Sequence, residues 1–246
     1  MRSNSLALIT AFLRARLSPE SYTGLHLTVG ALLLIMAGWL FGIIAEDIAT
    51  ADSITVVDLK VARWFHAYAN PGLTRLMLFF TNLHGVLGIT IFSLLTGLVF
   101  LCKKKYYWLL ALAVSVGGGM LVNVLVKYAF HRERPRFDDQ LLTLSTYSFP
   151  SGHTAGTMLF YGILTAYLMC HIRSWSWRIT IVLVAVLMVI TVGISRIYLG
   201  VHYLSDVLGA IAESSAWLAL TLTTIYSLSM RRELNRAASR IERMNK

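Results

Sequence analysis

The sequence predicts an all-α polytopic membrane protein, a bundle of six transmembrane helices with both termini in the cytoplasm. Three observations support this fold class. Of the 246 residues, 57% are hydrophobic and only 14% are charged, whereas a soluble domain carries roughly 25% charged residues. Six apolar runs recur along the chain, and a helix of ~20 apolar residues crosses a bilayer core of ~30 Å. Lys and Arg residues concentrate in alternate connections between these runs, as the positive-inside rule describes.

The predicted spans follow one another without a low-complexity linker, so residues 1–246 are predicted to form a single domain. The spans are Leu25–Ala45, Leu76–Leu101, Tyr106–Phe130, Gly152–Cys170, Ile179–Ile194 and Val207–Leu228. The fifth run is short and needs flanking residues in order to cross. Residues 1–24 precede the spans with a basic, amphipathic pattern that suits a helix lying on the inner surface; a frayed basic terminus is the alternative. Residues 229–246 form a basic cytoplasmic tail.

The net charge of +10 has the distribution of a membrane protein and does not indicate a nucleic-acid partner. With six spans, 14 of the 22 Lys and Arg residues flank one membrane face and the other 8 flank the opposite face. The richer face is assigned to the cytoplasm, and both termini lie on it. Cys102 and Cys170 fall at the same inner ends, where a reducing cytosol disfavours a disulfide.

A first polar cluster, KYAFHRERP at Lys127–Pro135, lies at the outer end of the third span. Lys127 and Arg134 would share one face if the helix continued to Pro135. Taken alone, the cluster is also compatible with a snorkelling lysine and a solvated basic loop. Arg132 and Arg136 flank the motif, where they could meet a second phosphate or an anionic headgroup or simply face water.

A second cluster, FPSGHTAG at Phe149–Gly156, opens the fourth span. Ser151 is a favourable N-cap, and Gly152 allows another group to approach the backbone closely. A helix that begins here directs its free N–H groups and the positive end of its dipole outward, which favours an anion. His153 would lie on the first turn. Without further context, a capping sequence with an interfacial histidine is an equally good interpretation.

A third cluster, SRIYLGVHYLSD at Ser195–Asp206, joins the fifth and sixth spans. Arg196 ends the fifth span, and the i,i+4 spacing of His202 and Asp206 places the carboxylate beside the ring. A carboxylate on one ring nitrogen fixes the tautomer and makes the other nitrogen a better base or nucleophile. An acidic residue favoured by the helix dipole is the alternative.

The predicted topology places all three clusters on one face of the membrane. Cations and helix N–H groups suit a phosphoryl group, whose charge is spread over its oxygens. Two histidines suit attack on phosphorus and protonation of a departing oxygen. The clusters offer no surplus of carboxylates for Mg²⁺ and no obvious metal-ligand spacing. The combination predicts phosphoryl transfer without a metal or other cofactor.

These motifs resemble the type-2 phosphatidic acid phosphatase superfamily, which includes lipid phosphate phosphatases and shares its site with vanadium haloperoxidases. The family pattern is K-x6-R-P, then P-S-G-H, then S-R-x5-H-x3-D. Every position matches between Lys127 and Asp206, whereas the first 75 residues carry no family motif.

The resemblance implies a role for each motif residue. His202 would be the nucleophile that forms a phosphohistidine, and Asp206 would orient it and stabilise its charge. His153 would protonate the leaving oxygen and then activate the hydrolytic water. The phosphate oxygens would be held by Lys127, Arg134, Ser151, Gly152 and Arg196, with Gly152 acting through its backbone N–H.

The expected substrate is a lipid phosphate monoester or diphosphate, such as phosphatidate, phosphatidylglycerol phosphate or undecaprenyl diphosphate. Short cytoplasmic loops indicate a bacterial inner-membrane protein with its site facing the periplasm, and no obligate protein partner is evident. A soluble phosphate or an acceptor lipid would keep the same chemistry, and a non-catalytic lipid-binding or transport protein is the alternative of another class. Asn123 and Glu213 are predicted to make interhelical polar contacts, with a supporting layer beneath the site as the more specific hypothesis.

Overall fold

The structure, a computed structural model, describes residues 24–142 and 144–244, and all regular elements in these ranges are helices. The helices are α1 (Leu25–Ala49), α2 (Ser53–Ala67), α3 (Pro71–Leu83), α4 (Val86–Cys102), α5 (Tyr106–Phe130), α6 (Gly152–His171), α7 (Trp175–Tyr198) and α8 (Leu204–Met244). Within α5, residues Ala113–Gly118 are wound as a π-helix. The predicted surface helix before α1 lies outside the described residues.

The prediction of an all-helical membrane protein is confirmed at the level of the fold. Among the described residues, α1, α5, α7 and the part of α8 over Leu204–Arg232 are each long and apolar enough to cross a membrane. The bent pair of α3 and α4 is a fifth candidate. α7 includes residues on both sides of the predicted fifth run, as its short length required. The count of six spans stays a prediction.

α6 is the predicted span that is less apolar than the others, and its position in the bundle explains why. It packs against α7, α8 and α5 and buries seven of its side chains or glycines, from Thr154 to Ile163. A Cβ built on Gly162 would lie 2.4 Å from Leu218 of α8, so the glycine permits close approach of the two helices. A helix surrounded by protein needs less hydrophobicity than one that faces lipid.

The second predicted span, Leu76–Leu101, is bent in the structure, and its crossing of the membrane as one span stays a prediction. α3 and α4 meet at an angle of 47° across His84 and Gly85. The buried His84 ring contacts the Phe80 carbonyl oxygen at 3.0 Å and the Tyr161 hydroxyl at 3.1 Å. These polar contacts hold the bend inside the bundle, beside the first turn of α6.

One end of the bundle gathers all the predicted clusters. α5 and α7 end there, whereas α6 and α8 begin there. The loop of residues 131–151 crosses this end, and α2 packs against α7 and α8 nearby. The chain therefore brings three sequence-distant motifs to one place by alternating helix direction.

Candidate active site

Lys127 lies in the last turn of α5, and the helix stops three residues later. His131 takes a left-handed conformation with φ of 50°, so the chain turns away. The expected helical face shared by Lys127 and Arg134 does not exist. The helix already ends at Phe130, with His131 as its left-handed C-cap, so it does not extend as far as Arg134.

The Lys127 ammonium instead organises the loop that leads to α6. Its Nζ donates to the carbonyl oxygens of Tyr147, Ser148 and Pro150 at 2.9, 3.3 and 2.8 Å. Three acceptors satisfy the three donors of an ammonium group. In this structure, Lys127 fixes the path of the chain into the second motif.

Arg134 links the loop to the third motif. Its Nε donates to the Thr146 carbonyl oxygen and its Nη1 to the Val201 carbonyl oxygen, both at 2.6 Å. The same Nη1 lies 3.2 Å from Nε2 of His202. The guanidinium is thereby held against the ring that the sequence identifies as the nucleophile.

The second motif begins α6 at Gly152, with Ser151 at the N-cap position as predicted. The Ser151 side chain makes no capping bond; its Oγ accepts a hydrogen bond from Thr154 Oγ1 at 3.0 Å. Its backbone N–H donates to the Asp206 carbonyl oxygen at 3.0 Å. Ser151 therefore joins the start of α6 to the start of α8.

His153 lies on the first turn of α6, partly exposed, beside the bend between α3 and α4. A Cβ built on Gly85 would lie 3.4 Å from its Nε2, so a side chain there would crowd the ring. The positive charges of Arg196, Arg134 and Lys127 all act on His153, as does the His202 ring. The two histidines thus share one set of cations.

His202 lies in the short connection between α7 and α8. Its Nδ1 is 3.4 Å from Oδ2 of Asp206, which also accepts the Tyr203 backbone N–H at 2.8 Å. An ionised carboxylate only accepts hydrogen bonds, so this arrangement assigns the ring proton to Nδ1 and leaves the lone pair on Nε2. Burial lowers the pKa of His202 well below 6.5, and the charges of Arg196 and Arg134 lower it further. The ring is a neutral base at pH 7.

Arg196 is the most unusual side chain of the site. Only 1% of it is exposed. Its Nη1 donates to Thr81 Oγ1 at 2.6 Å, whereas its buried Nε and Nη2 have no partner. A buried cation with free N–H groups is costly unless an anion completes it. Thr81, from α3, could not be inferred from the sequence as its partner.

Arg132 and Asp58 are the residues of this region that sequence reasoning missed. The Arg132 side chain is only 12% exposed, so the interpretation as a solvated loop residue is wrong. Its Nη1 donates to Oδ1 of Asp206 at 2.6 Å and its Nη2 to Oδ2 of Asp58 at 2.7 Å. Nothing in the sequence around Asp58 marks it, because its partners are more than 70 residues away.

Asn123 and Glu213 form the interhelical contact that was predicted. Asn123 Nδ2 donates to Glu213 Oε2 at 2.9 Å in the interior. A Cβ built on Gly152 would lie 3.4 Å from the amide oxygen of Asn123. The pair lies directly beneath the start of α6, and its effect on turnover stays a prediction.

Comparison with known proteins decides the family. The pattern of the PAP2 superfamily matches residues 108–229, which contain all three motifs. Phosphatidylglycerophosphatase B of Bacillus subtilis (strain 168) is 30% identical over 173 residues, covering 70% of this chain and 84% of that protein. The chain belongs to the PAP2 superfamily. The resemblance of the three motifs is confirmed, as is the prediction of a phosphatase.

Solved structures of PAP2 proteins share the fold. The crystal structure of a transmembrane PAP2 type phosphatidylglycerolphosphate phosphatase from Bacillus subtilis matches with a TM-score of 0.70 and 28% identity, over 76% of this chain and 93% of that one. The crystal structure of Aquifex aeolicus LpxE matches with a TM-score of 0.54 and 23% identity, over 68% of this chain and 94% of that one. The match to LpxE shows a shared fold and nothing more.

The arrangement in this PAP2 protein can support nucleophilic attack on a bound phosphate. It offers a neutral imidazole whose Nε2 lone pair faces Arg134, a second imidazole nearby and three surrounding cations. Within the described residues, no group of three or more His, Cys, Asp or Glu side chains is placed to hold a metal ion. The roles of the individual motif residues remain predictions.

Proposed function

We propose that this chain, a lipid phosphatase of the PAP2 type, hydrolyses a lipid phosphate monoester or diphosphate through a phosphohistidine on His202. The observation that carries this proposal is the buried Arg196 guanidinium, whose Nε and Nη2 lack partners while its charge acts on both His153 and His202. A phosphoryl group between the two rings would supply the missing anion.

In the first proposed step, the Nε2 lone pair of His202 attacks phosphorus. The P–N bond forms as the bond to the leaving oxygen breaks, and His153 gives its proton to that oxygen. Asp206 stabilises the charge that the His202 ring acquires, and Arg134 and Arg196 face the phosphoryl oxygens. The negative charge of the substrate favours the protonated form of His153 that this step needs.

In the second step, water attacks the phosphoryl group and the P–N bond breaks. His153, now neutral, takes a proton from the water, and His202 regains its lone pair as phosphate leaves. The two steps return both histidines to their starting forms. No step uses a metal or other cofactor.

The proposed orientation has six spans with both termini in the cytoplasm, and α6 forms the fourth of these spans. A bundle with this topology places the ends of α5 and α7 and the starts of α6 and α8 on the periplasmic side of a bacterial inner membrane. The charge distribution supports this orientation, since the richer set of Lys and Arg residues flanks the opposite ends.

A cavity beside His153 supports a lipid substrate. It has a volume of about 370 Å³ and an almost wholly apolar lining from α4, α5 and α6 that includes Val86, Ile89 and Met120. An acyl or prenyl chain could lie there while its headgroup reaches the cations. The named relative acts on phosphatidylglycerophosphate, so this lipid is the first candidate; phosphatidate and undecaprenyl diphosphate are the others.

Phosphate release by purified protein across these three lipids and a soluble sugar phosphate tests the proposal. We expect turnover of at least one lipid in EDTA and inhibition by vanadate, which mimics phosphorus during attack. In right-side-out vesicles, a short-chain lipid phosphate added outside should be hydrolysed without permeabilisation. Preference for the sugar phosphate, transfer to an acceptor lipid, dependence on added metal or binding without turnover would each contradict the proposal.

Filling this cavity should raise KM for long-chain lipid substrates. Gly117 lines the cavity, and a Cβ built on it meets nothing within 4 Å, so Gly117→Phe can place its ring there. We expect KM for a long-chain lipid phosphate to rise about 10-fold, the loss that follows from ~1.4 kcal/mol of lost apolar contact. A soluble aryl phosphate should be hydrolysed as by the wild type.

Gly42→Phe is the matched control, because Gly42 of α1 is equally unobstructed and does not line this cavity. It should leave KM unchanged for both substrates. Equal effects of Gly117→Phe on the long-chain and soluble substrates would show that the lipid chain lies elsewhere.

A further inference from the structure

The Asp206 carboxylate, which the sequence pairs with His202, makes its shortest side-chain contact with another residue. Oδ1 accepts from Arg132 Nη1 at 2.6 Å, whereas Oδ2 is 3.4 Å from His202 Nδ1. Asp206 is fully buried. Its charge is therefore divided between a permanent cation and the imidazole.

Arg132 is itself fixed from three sides. Besides Asp206, its guanidinium donates to Asp58 Oδ2 at 2.7 Å and to Ser205 Oγ at 2.7 Å. It also stacks 4.4 Å from the centre of the Tyr203 ring. Burial opposes its charge, but Asp206 and Asp58 outweigh burial and raise the pKa of Arg132. Ser205, Asp206 and Asp58 together accept three of the five N–H donors of this guanidinium.

Asp58 brings α2 into this network. The side chain is 1% exposed, accepts the Ser205 backbone N–H at 2.9 Å, and also accepts the Ser205 hydroxyl. Asp58 thereby accepts a free N–H of the first turn of α8, one residue before Asp206. It lies outside residues 108–229, the segment that the PAP2 pattern matches.

We propose that Arg132, held by Asp58, is a positioning residue that orients the Asp206 carboxylate and limits how much of its charge reaches His202. The inference rests on the proposed nucleophilic role of His202. Without Arg132, Oδ1 of Asp206 would lose its hydrogen bond, and more of the carboxylate's charge would act on the ring. The ring would then bind a proton more readily, and fewer molecules would hold the nucleophilic form.

The pKa of His202 depends on the charged and titratable groups that surround its ring. These groups are Arg134 from the loop, Arg196 from α7, Lys127 from α5, His153 from α6 and Asp206 from α8. Arg132 acts on the ring only through Asp206. A hydrogen bond to the Ser148 backbone also raises the pKa of His202. Removing Arg132 therefore strengthens the negative contribution of Asp206 while leaving these other contributions unchanged.

The test measures kcat, KM and the pH dependence of kcat/KM for four proteins: wild type, Arg132→Gln, Asp58→Asn and the double variant. We expect Arg132→Gln to lower kcat about 10- to 100-fold, as loss of an outer partner of a functional side chain does. The acid limb of the pH profile of kcat/KM should move to higher pH in this variant, because an Asp206 carboxylate that no longer binds Arg132 favours protonated His202. Asp58→Asn should lower kcat less than Arg132→Gln does. The acid limb of its pH profile should stay in place or move to lower pH, since Asp206 is then the one carboxylate of the two that Arg132 faces.

The double variant separates positioning from simple charge compensation. If Arg132 serves Asp206, the double variant keeps the low kcat and the raised acid limb of Arg132→Gln. If Arg132 only neutralises Asp58, the double variant returns to wild-type behaviour, and the inference fails. A rise in KM confined to diphosphate substrates would also overturn it, because that result would make Arg132 a direct phosphate ligand.

Arg132→Lys keeps the inference testable if Arg132→Gln does not fold. A lysine restores the charge but cannot span two carboxylates as a guanidinium does, so kcat should recover in part and the acid limb should return toward that of the wild type. Unchanged kcat and pH dependence in both Arg132 variants, with the wild type active, would refute the positioning role. An inactive wild type would instead refute the proposed function.

Discussion

Replacing His202 with alanine will lower turnover by about 10⁴-fold or more, the loss seen when a nucleophile or its catalytic partner is removed. The structure gives the reason. His202 is buried, and its ring is held between Asp206 at Nδ1 and Arg134 at Nε2, the arrangement that the proposed attack requires. Phosphate release from a lipid phosphate in detergent measures the loss.

The two histidines should fail at different steps. In His153→Ala, attack by His202 continues when the leaving group needs no proton, as with an aryl phosphate, but the water is no longer activated. Phosphoenzyme should therefore accumulate and release its phosphate in acid, as an N-phosphoryl bond does. In His202→Ala, no phosphoenzyme should form with any substrate.

His171→Ala is a suitable control, because this exposed histidine lies at the other end of α6. It should keep wild-type turnover. Phosphoenzyme in His202→Ala, or its absence in His153→Ala with an aryl phosphate, would reverse or remove the assigned roles.

Local spacing explains why the sequence located much of this site. His202 lies just before α8, and its separation of four residues from Asp206 still places the ring beside the carboxylate. Ser151 and Gly152 mark the beginning of α6 by the same kind of local preference. The apolar runs predicted the helices. Because successive helices alternate in direction, the three motifs meet at one end of the bundle.

Contacts between distant segments could not be predicted in this way. Asp58 reaches Ser205 across 147 positions and Arg132 across 74, and only the packing of α2 against α8 creates these pairs. The bend at His84 was missed because hydropathy averages over polar positions inside an apolar run. The three loop carbonyl oxygens that Lys127 binds could not be predicted, because these contacts depend on the loop's path; its phosphate-binding role stays a prediction.

Replacing Arg196 with methionine should separate activity from stability. Nε and Nη2 of Arg196 are the buried donors left without partners at the site, so they are the donors available to an oxygen that gains charge during attack. Loss of one such donor group lowers kcat by about 10²- to 10³-fold. We expect a loss of this size in Arg196→Met, together with weaker inhibition by vanadate. Arg178→Met is the control, because Arg178 lies at the far end of α7 and binds backbone carbonyls there.

The free energy of unfolding should not follow the loss of activity. Methionine gives up one hydrogen bond to Thr81, worth about 1 kcal/mol, but it also removes an unpaired buried charge whose desolvation costs several kcal/mol. The melting temperature of Arg196→Met without ligand should therefore equal or exceed that of the wild type. Added phosphate should stabilise the wild type and not the variant, because stabilisation by a ligand requires its site. A variant that unfolds earlier yet keeps its response to phosphate would show that Arg196 supports the bundle, and that the anion binds elsewhere.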